Sequence, residues 1–439
     1  MKQMVFHRAA CLLALLLSFH AIDSAAADKP NIVIIVGDDC GYNEFSFQGG
    51  SIPTPRIDSI AEGGVRLTQG YVTAAVCSPS RAGLLTGRYQ QRFGHHGNLP
   101  FRKIEITGLP VTETLLPAAL KPAGYRSIAI GKWHLGWDPK FRPCERGFDD
   151  FYGFLHGSRS YFPIENPPYQ TELMLNRESA GADKFTYLTD EFGERAASYI
   201  DSYKDKPFFL YLAYNATHSP QDATPEDLKV SGNKRIPAMT RALDRSVGKV
   251  LDALDRNHLT ANTFVVFISD NGGENKHNND PLRGYKRDMY EGGIRVPFAI
   301  RWPQQIPAGS TLEQPVIALD LFTTALSIAG IELPKDAPSE KSIDGVNLIP
   351  YLTGKITTRP HQTLFWTYGE SWAVRDGDLK LVLNRGHRGD PELFDLSRDL
   401  DEKKDLATAQ PADVARLKSL LETWKATHKP SPWGKDAND

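Results

Sequence analysis

Cysteine is scarce in this chain, with four among 439 residues, too few to staple a scaffold of this size through disulfides. An excess of charge of either sign is missing too. Lys plus Arg number 51 against 53 for Asp plus Glu, a formal net charge of -2. No global field therefore draws the protein to nucleic acid or to an anionic membrane, and an anionic ligand has to be held by a local site. Internal repeats and low-complexity tracts are absent after residue 27. Long apolar runs are also lacking, except for one at 9–22, which is shorter than the ~20 residues a membrane-spanning helix needs. A basic segment at 1–8 precedes that run and Ala25-Ala26-Ala27 follows it, the layout of a secretory leader, 1–27, cut before Asp28. The expectation is an exported protein, periplasmic or secreted, with no membrane anchor in its mature chain. Cys11 leaves with the leader. Cys40, Cys77 and Cys144 remain, an odd number in a compartment that permits disulfides, and the sequence leaves open whether Cys40 and Cys144 pair.

What the chain does have is material for a large core. With 41% hydrophobic and 24% charged residues it sits at the globular average, which excludes disorder, collagen and coiled coil. Its length fits two or three domains, or one large α/β core with an appendage. Short β-branched or aromatic runs at 31–36, 127–130, 208–214, 264–269 and 297–301 alternate with helical stretches. In the longest of these, Met239, Leu243, Val247, Val250, Leu251 and Leu254 recur at helical spacing, and Leu188, Phe192, Ala196 and Tyr199 do so within 185–204. The pattern predicts an α/β fold, a large mostly parallel sheet between helices. After a stretch rich in Pro, Gly, Lys and Thr at 334–359, the texture changes to short strands at 363–368, 372–375, 379–383 and 392–395. Asp376-Gly377 and Arg388-Gly389 turns lie among them, and a closing helix follows at 414–427. A catalytic α/β domain is expected at 28–355, with a C-terminal α+β subdomain at 356–439 built from an antiparallel sheet plus a helix.

In open α/β sheets ligands bind at the carboxyl ends of the strands. Here those ends carry Asp38-Asp39, Lys132-Trp133-His134, Thr217-His218 and Asp270-Asn271. Any one of them could be a turn residue or a structural histidine; four together are harder to dismiss. Three carboxylates and an amide oxygen at one edge would repel one another without a cation, and an all-oxygen set favours Ca2+ or Mg2+ over Zn2+, with Ca2+ preferred. Elsewhere, Cys77-Ser78-Pro79-Ser80-Arg81 reads as a helix start capped by Ser78, which puts Cys77 at an anion-favouring helix end. Asn215-Ala216-Thr217 fits a glycosylation sequon, but its strand position argues for burial. His95-His96 reads as a pocket rim or plain surface, because adjacent residues do not share a helix face.

The run Cys77 to Gly87, C-x-P-S-R-x-x-L-x-T-G, resembles the signature of the type I sulfatases of the alkaline-phosphatase-like superfamily. In that family the cysteine is converted to Cα-formylglycine by a maturation enzyme. Five further segments resemble the family in the same order: N-I-V-I-I-V-G-D-D at 31–39, G-K-W-H-L-G at 131–136, A-T-H-S-P at 216–220, S-D-N-G-G at 269–273 and L-R-G-Y-K-R-D-M-Y-E-G-G-I-R-V-P at 282–297. The segments R-D-G-D-L-K-L-V-L at 375–383 and E-L-F-D-L at 392–396 also look like the family's C-terminal sheet. The resemblance implies a hydrated formylglycine at position 77. One hydroxyl attacks sulfur and the other later expels sulfate, regenerating the aldehyde. It further implies Ca2+ held by Asp38, Asp39, Asp270, Asn271 and an oxygen of residue 77. Arg81 would stabilise the ionised hydrate, His134 act as base, His218 donate a proton to the leaving oxygen, and Lys132, Lys286 and His218 contact the sulfate.

Export and a local anion site suit a sulfated carbohydrate substrate. Candidate specificity loops lie at 94–102, 156–161 and 276–280, with Arg159 able to reach a sugar carboxylate or a second sulfate. The Asn278 to Gly284 stretch is similar to sulfatases acting on galactose or N-acetylgalactosamine sulfates. Other readings are an aryl or alkyl sulfatase, a phosphatase or phosphodiesterase of the same superfamily, and an inactive relative that binds sulfated glycan.

Overall fold

The run Asn31–Gly37 is apolar without alternation because both faces of the strand it forms are covered. Ile32, Ile34 and Val36 point into one core and Val33 and Ile35 into another, all of them wholly buried. The computed structural model describes residues 29–100, 103–333, 339–384 and 389–433. The expected leader, Arg102 of the 94–102 loop and Arg388 of the second turn lie outside those residues.

The central sheet has ten strands. From edge to edge they are Ser310–Leu312, Val65–Leu67, Phe298–Arg301, Thr263–Ser269, Asn31–Gly37, Phe208–Ala213, Arg126–Lys132, Asp150–Phe154, Met174–Leu175 and Glu178–Ser179. The middle of the sheet is parallel. Asn31–Gly37 pairs in parallel with Phe208–Ala213 and with Thr263–Ser269, and Arg126–Lys132 pairs in parallel with Phe208–Ala213 and Asp150–Phe154. Phe298–Arg301 runs antiparallel to both neighbours, and the last two strands form an antiparallel hairpin at the edge.

Helices cover both faces. Arg235–Arg256 buries its 239, 243, 247, 250, 251 and 254 stripe, and beside it lies Leu188–Tyr203. Full burial of Leu or Val side chains of this kind contributes roughly 1.5–3 kcal/mol each. The opposite face packs against Cys77–Thr86 and Asp320–Ile328 through Leu84, Leu85, Leu321, Phe322 and Ala325. No described helix is long and apolar enough to cross a membrane.

Strands Thr363–Tyr368, Ser371–Asp376, Leu379–Leu383 and Glu392–Asp395 form the antiparallel C-terminal sheet, and Pro411–Lys425 packs on it. Its core is shared with the larger part of the chain. Trp366 meets Tyr71 at 5.2 Å between ring centroids and donates its indole N–H to the Val72 carbonyl at 2.7 Å.

Candidate active site

Because the four central strands run in parallel, their carboxyl ends emerge along one edge of the sheet. Register brings Gly37 opposite Ser269, and Ala213 opposite both Val36 and Gly131. The residues that follow therefore meet. The Asp38 N–H donates to Ala216 O at 2.8 Å, the Asp270 N–H to Gly37 O at 3.0 Å and the Thr217 N–H to Asp38 O at 2.7 Å.

Cys77 is the first residue of the Cys77–Thr86 helix, every residue of which is buried. Its Sγ lies 3.5 Å from Asp38 Oδ1 and 4.0 Å from Asp39 Oδ1. Among the described residues, ligand atoms of Asp38, Asp39, Cys77 and His218 all fall within 4.8 Å of one another. Burial, with Asp270 next in weight, pushes the Cys77 thiol up, so that an unmodified thiol rests protonated here. The helix start differs from expectation in one respect. Ser78 does not cap it; its Oγ donates to the His134 carbonyl and pairs with His95 Nε2, each at 2.7 Å, while its N–H is taken by Asn98 Oδ1 at 3.0 Å. Ser78 lies within the helix, so its hydroxyl reaches a neighbouring loop instead of the amides of its own first turn.

One turn further on, Arg81 projects from the same helix face as Cys77. Its Nε lies 2.8 Å from Asp270 Oδ2, and its Nη1 donates to Lys132 O at 3.0 Å. Lys132 Nζ reaches Asp38 Oδ2 at 2.5 Å, and Lys286 Nζ reaches Asp39 Oδ2 at 2.7 Å. Three buried carboxylates thus face three buried cations. Side chains supply part of the positive charge that offsets the repulsion among the carboxylates. Two features nevertheless fit a hard cation. Asn271 gives its Nδ2 to Asp39 Oδ1 at 2.7 Å and to Gly272 O, yet its own buried Oδ1 has no partner. Burial, followed by Asp270, pushes Asp38 up to about 7 even beside Lys132, the mark of a carboxylate short of positive charge. An oxygen-rich donor set of this kind suits Ca2+.

His218 Nε2 stands 3.7 Å from Asp39 Oδ2, and the loop carrying it is pinned by the Tyr161 hydroxyl, which donates to His218 O at 2.8 Å. Burial and Lys132 hold His218 at about 3, and burial, Lys132 and Arg81 push His134 well down, so both imidazoles rest neutral. A neutral His134 can accept a proton, whereas an anion arriving next to His218 would raise its basicity. His134 Nδ1 is buried without a partner. Its ring lies so close to Gly157 that a Cβ there would sit 2.6 Å from it, which explains the glycine.

Arg159 is placed differently from expectation. Its side chain is wholly buried, ion-paired with Asp183 and packed over the Phe185 ring at 5.5 Å, so no substrate carboxylate or sulfate meets it from solvent. Asp183 in turn accepts the Ile164 N–H at 2.8 Å, which makes the pair a brace for the 156–164 loop. Asn215 of the sequon is buried, as expected. Of the two adjacent histidines, His95 is wholly buried against Ser78, which corrects its reading as rim or surface. The described cysteines are all free, Cys40 buried and Cys144 partly so.

The sequence reading missed the groups that hold these loops. Glu44 Oε1 meets His277 Nδ1 at 2.5 Å, fully buried, and ties the loop after Asp39 to the loop after Asn271. Asn279 Oδ1 accepts from Tyr42 N at 3.3 Å and Gly273 N at 3.1 Å. Lys286 is positioned from the C-terminal sheet, where Asn384 accepts the Met289 N–H at 2.9 Å and donates to Asp288 Oδ1 at 2.8 Å. Only the Asn-rich 276–280 segment gave any signal of this.

A family model described as Sulfatase matches residues 30–331, and one described as N-sulphoglucosamine sulphohydrolase, C-terminal, matches residues 284–426. N-acetylgalactosamine-6-sulfatase of Homo sapiens is 35% identical over 457 aligned residues, covering 91% of this chain and 86% of its own length. An uncharacterized sulfatase of Escherichia coli (strain K12), YdeN, is 32% identical over 514, covering 94% and 88%. The solved structure of Ps i-CgsB in complex with k-i-k-neocarrahexaose superposes with a TM-score of 0.87 at 34% identity, over 94% of this chain and 96% of the other.

Proposed function

The chain belongs to the sulfatase family and is a sulfuric ester hydrolase, and from that premise we propose that it removes sulfate from poly- or oligosaccharides, using formylglycine at position 77 and Ca2+. The observation that carries this reading is the approach of Cys77 Sγ to within 3.5 Å of Asp38, at the mouth of a buried helix and amid Arg81, Lys132 and Lys286. Asp38, Asp39, Asp270 and Asn271 would hold the metal, which supplies Lewis acidity toward a sulfate oxygen. Hydrated formylglycine supplies an oxygen nucleophile and, in its second hydroxyl, the means of releasing sulfate.

The remaining work falls to this chain's own side chains. Lys132 and Lys286 orient the sulfate oxygens and offset negative charge as it shifts toward the leaving oxygen. Arg81 holds Asp270 and Asp38 in place and presents positive charge to residue 77. His134 takes a proton from residue 77, and His218 places one on the leaving oxygen of the sugar. The low-dielectric setting strengthens each of these charge interactions.

The preference for a glycan draws on the human relative named for N-acetylgalactosamine-6-sulfate and on the structure holding a neocarrahexaose. The Asn278 to Gly284 stretch points the same way. Export, with a cut before Asp28, and a transient encounter with a formylglycine-generating enzyme complete the proposal.

Mass spectrometry of the peptide containing residue 77, taken from the natural source, tests the mechanism: an aldehyde is expected, and a fully active protein with an intact thiol would refute it. Cys77→Ala should abolish sulfate release with the fold retained. Comparison of kcat/KM on matched aryl sulfate and phosphate esters separates sulfatase from phosphatase, and a screen of defined sulfated oligosaccharides tests the glycan reading.

A further inference from the structure

A cleft of about 490 Å³ opens beside the catalytic loops, with Glu44, Gln221, Lys234, Arg235, Lys276 and Asn278 on its walls. It shares two loops with the active site. Gln221 follows His218 by three residues and meets His277 Nε2 at 3.2 Å. Lys276 follows Glu274 by two, and Glu274 lies 3.6 Å from Lys286 Nζ. None of the cleft residues belongs to the catalytic or ligand set described above.

The charge of this cleft is lopsided. Lys234, Arg235 and Lys276 are exposed, and among the described residues none of them has an ion-pair partner. The one carboxylate on the walls, Glu44, is buried and bonded to His277 and to the Gly41 N–H at 3.0 Å. Farther along the Arg235–Arg256 helix, Arg245 pairs with Asp190 and Asp227, Lys249 with Glu194, and Arg256 with Asp201, whereas the buried Nε of Arg241 has no partner among the described residues. The start of that helix reverses the usual preference. Lys234 occupies its N-cap with no side-chain capping bond, and its first turn has no acidic residue, where Ser, Asp or Glu would stabilise the helix. The helix start therefore places no negative charge at the cleft to offset Lys234 and Arg235.

We propose that this cleft is a subsite for a second anionic group, a sulfate ester or a uronate carboxylate, on the same glycan whose sulfate is hydrolysed. The inference rests on the sulfated-glycan reading. The cations are exposed, so they would act through charge on a flexible chain, adding to substrate affinity without touching the reacting atoms. An isolated anion would gain little from them.

The test is the double variant Lys234→Ser, Arg235→Ser, in which Ser is a better N-cap than Lys, so loss of the helix is not a competing explanation. Its probes are an aryl sulfate, a monosulfated oligosaccharide, the same oligosaccharide with a second sulfate, and the same with a uronate in place of that second sulfate. For whichever doubly anionic probe the subsite takes, KM should rise about tenfold at unchanged kcat. The aryl sulfate and monosulfated probes should be unaffected, and the wild-type preference for two anions should shrink with added salt. The sulfate and uronate arms identify the group bound. Unchanged KM on both doubly anionic probes overturns the subsite, as does an equal loss on aryl sulfate. Wild-type turnover of oligosaccharides with no preference for a second anion overturns the subsite alone. Hydrolysis of aryl sulfate but of no oligosaccharide overturns the glycan reading and the subsite with it.

Discussion

Lys132 and Asp38 meet at 2.5 Å with both side chains wholly out of solvent, at the ends of strands that are separated in the sheet by Phe208–Ala213. A buried pair of this kind is expensive to break, because the survivor keeps its charge or takes up a proton in a site that dehydrates it. With Lys132 gone, Asp38 would face Asp270 with only the Arg81 guanidinium, 3.7 Å away, to offset it. Lys132→Ala should therefore lower unfolding free energy by about 3 kcal/mol in a urea titration and cut kcat by at least about 100-fold. Wild-type stability together with wild-type turnover would remove Lys132 from the site.

Metal removal gives the second expectation. A bound divalent cation would give the partnerless Asn271 Oδ1 a partner and would relieve the raised Asp38 carboxyl. A chelator should lower activity and melting temperature together, and Ca2+ should restore both, by about 2.7 kcal/mol at a hundred times its Kd. Asn271→Ala should need more Ca2+ for the same recovery. Indifference of both readouts to chelation would mean that the three buried cations suffice.

A pH effect on stability follows from His361 Nε2, which meets Asp320 Oδ1 at 2.7 Å where the C-terminal unit begins. Burial acts to lower this imidazole, but Asp320 outweighs it and the folded value is raised. A histidine raised on folding lends stability that is fully present below about 6.5, its unfolded value, and is lost as pH climbs through the folded one. Denaturation curves from pH 6 to 9 should show that decline in the wild type and a flatter profile in His361→Gln. Parallel profiles would assign the pair no role.

Asn384 supplies a prediction about distance. It sits in the C-terminal unit and fixes Met289 and Asp288 just after Lys286. Asn384→Ala should loosen that segment and reduce kcat about tenfold, since small misplacements of a charge-stabilising group are costly. KM for a small aryl sulfate and the melting temperature should change much less. A loss confined to stability would make Asn384 a packing residue only.

The sheet and most of the proposed catalytic set were legible in the sequence for a definite reason. Strand runs such as Asn31–Gly37 are set by neighbours in the chain, and parallel strands of one sheet necessarily end on one edge, so Asp38, Lys132, His134, His218, Asp270 and Asn271 could be gathered without coordinates. The Cys77 and Arg81 pair is equally local, one helical turn apart. Packing alone decided the rest. Arg159 is withdrawn from solvent by Asp183, Ser78 turns to His134 and His95 instead of capping, and Glu44 finds His277 across 233 residues of chain. The unpaired state of Lys234, Arg235 and Lys276 belongs with these. Whether a charged side chain is satisfied depends on which distant loop folds against it, and chain order carries no measure of that distance.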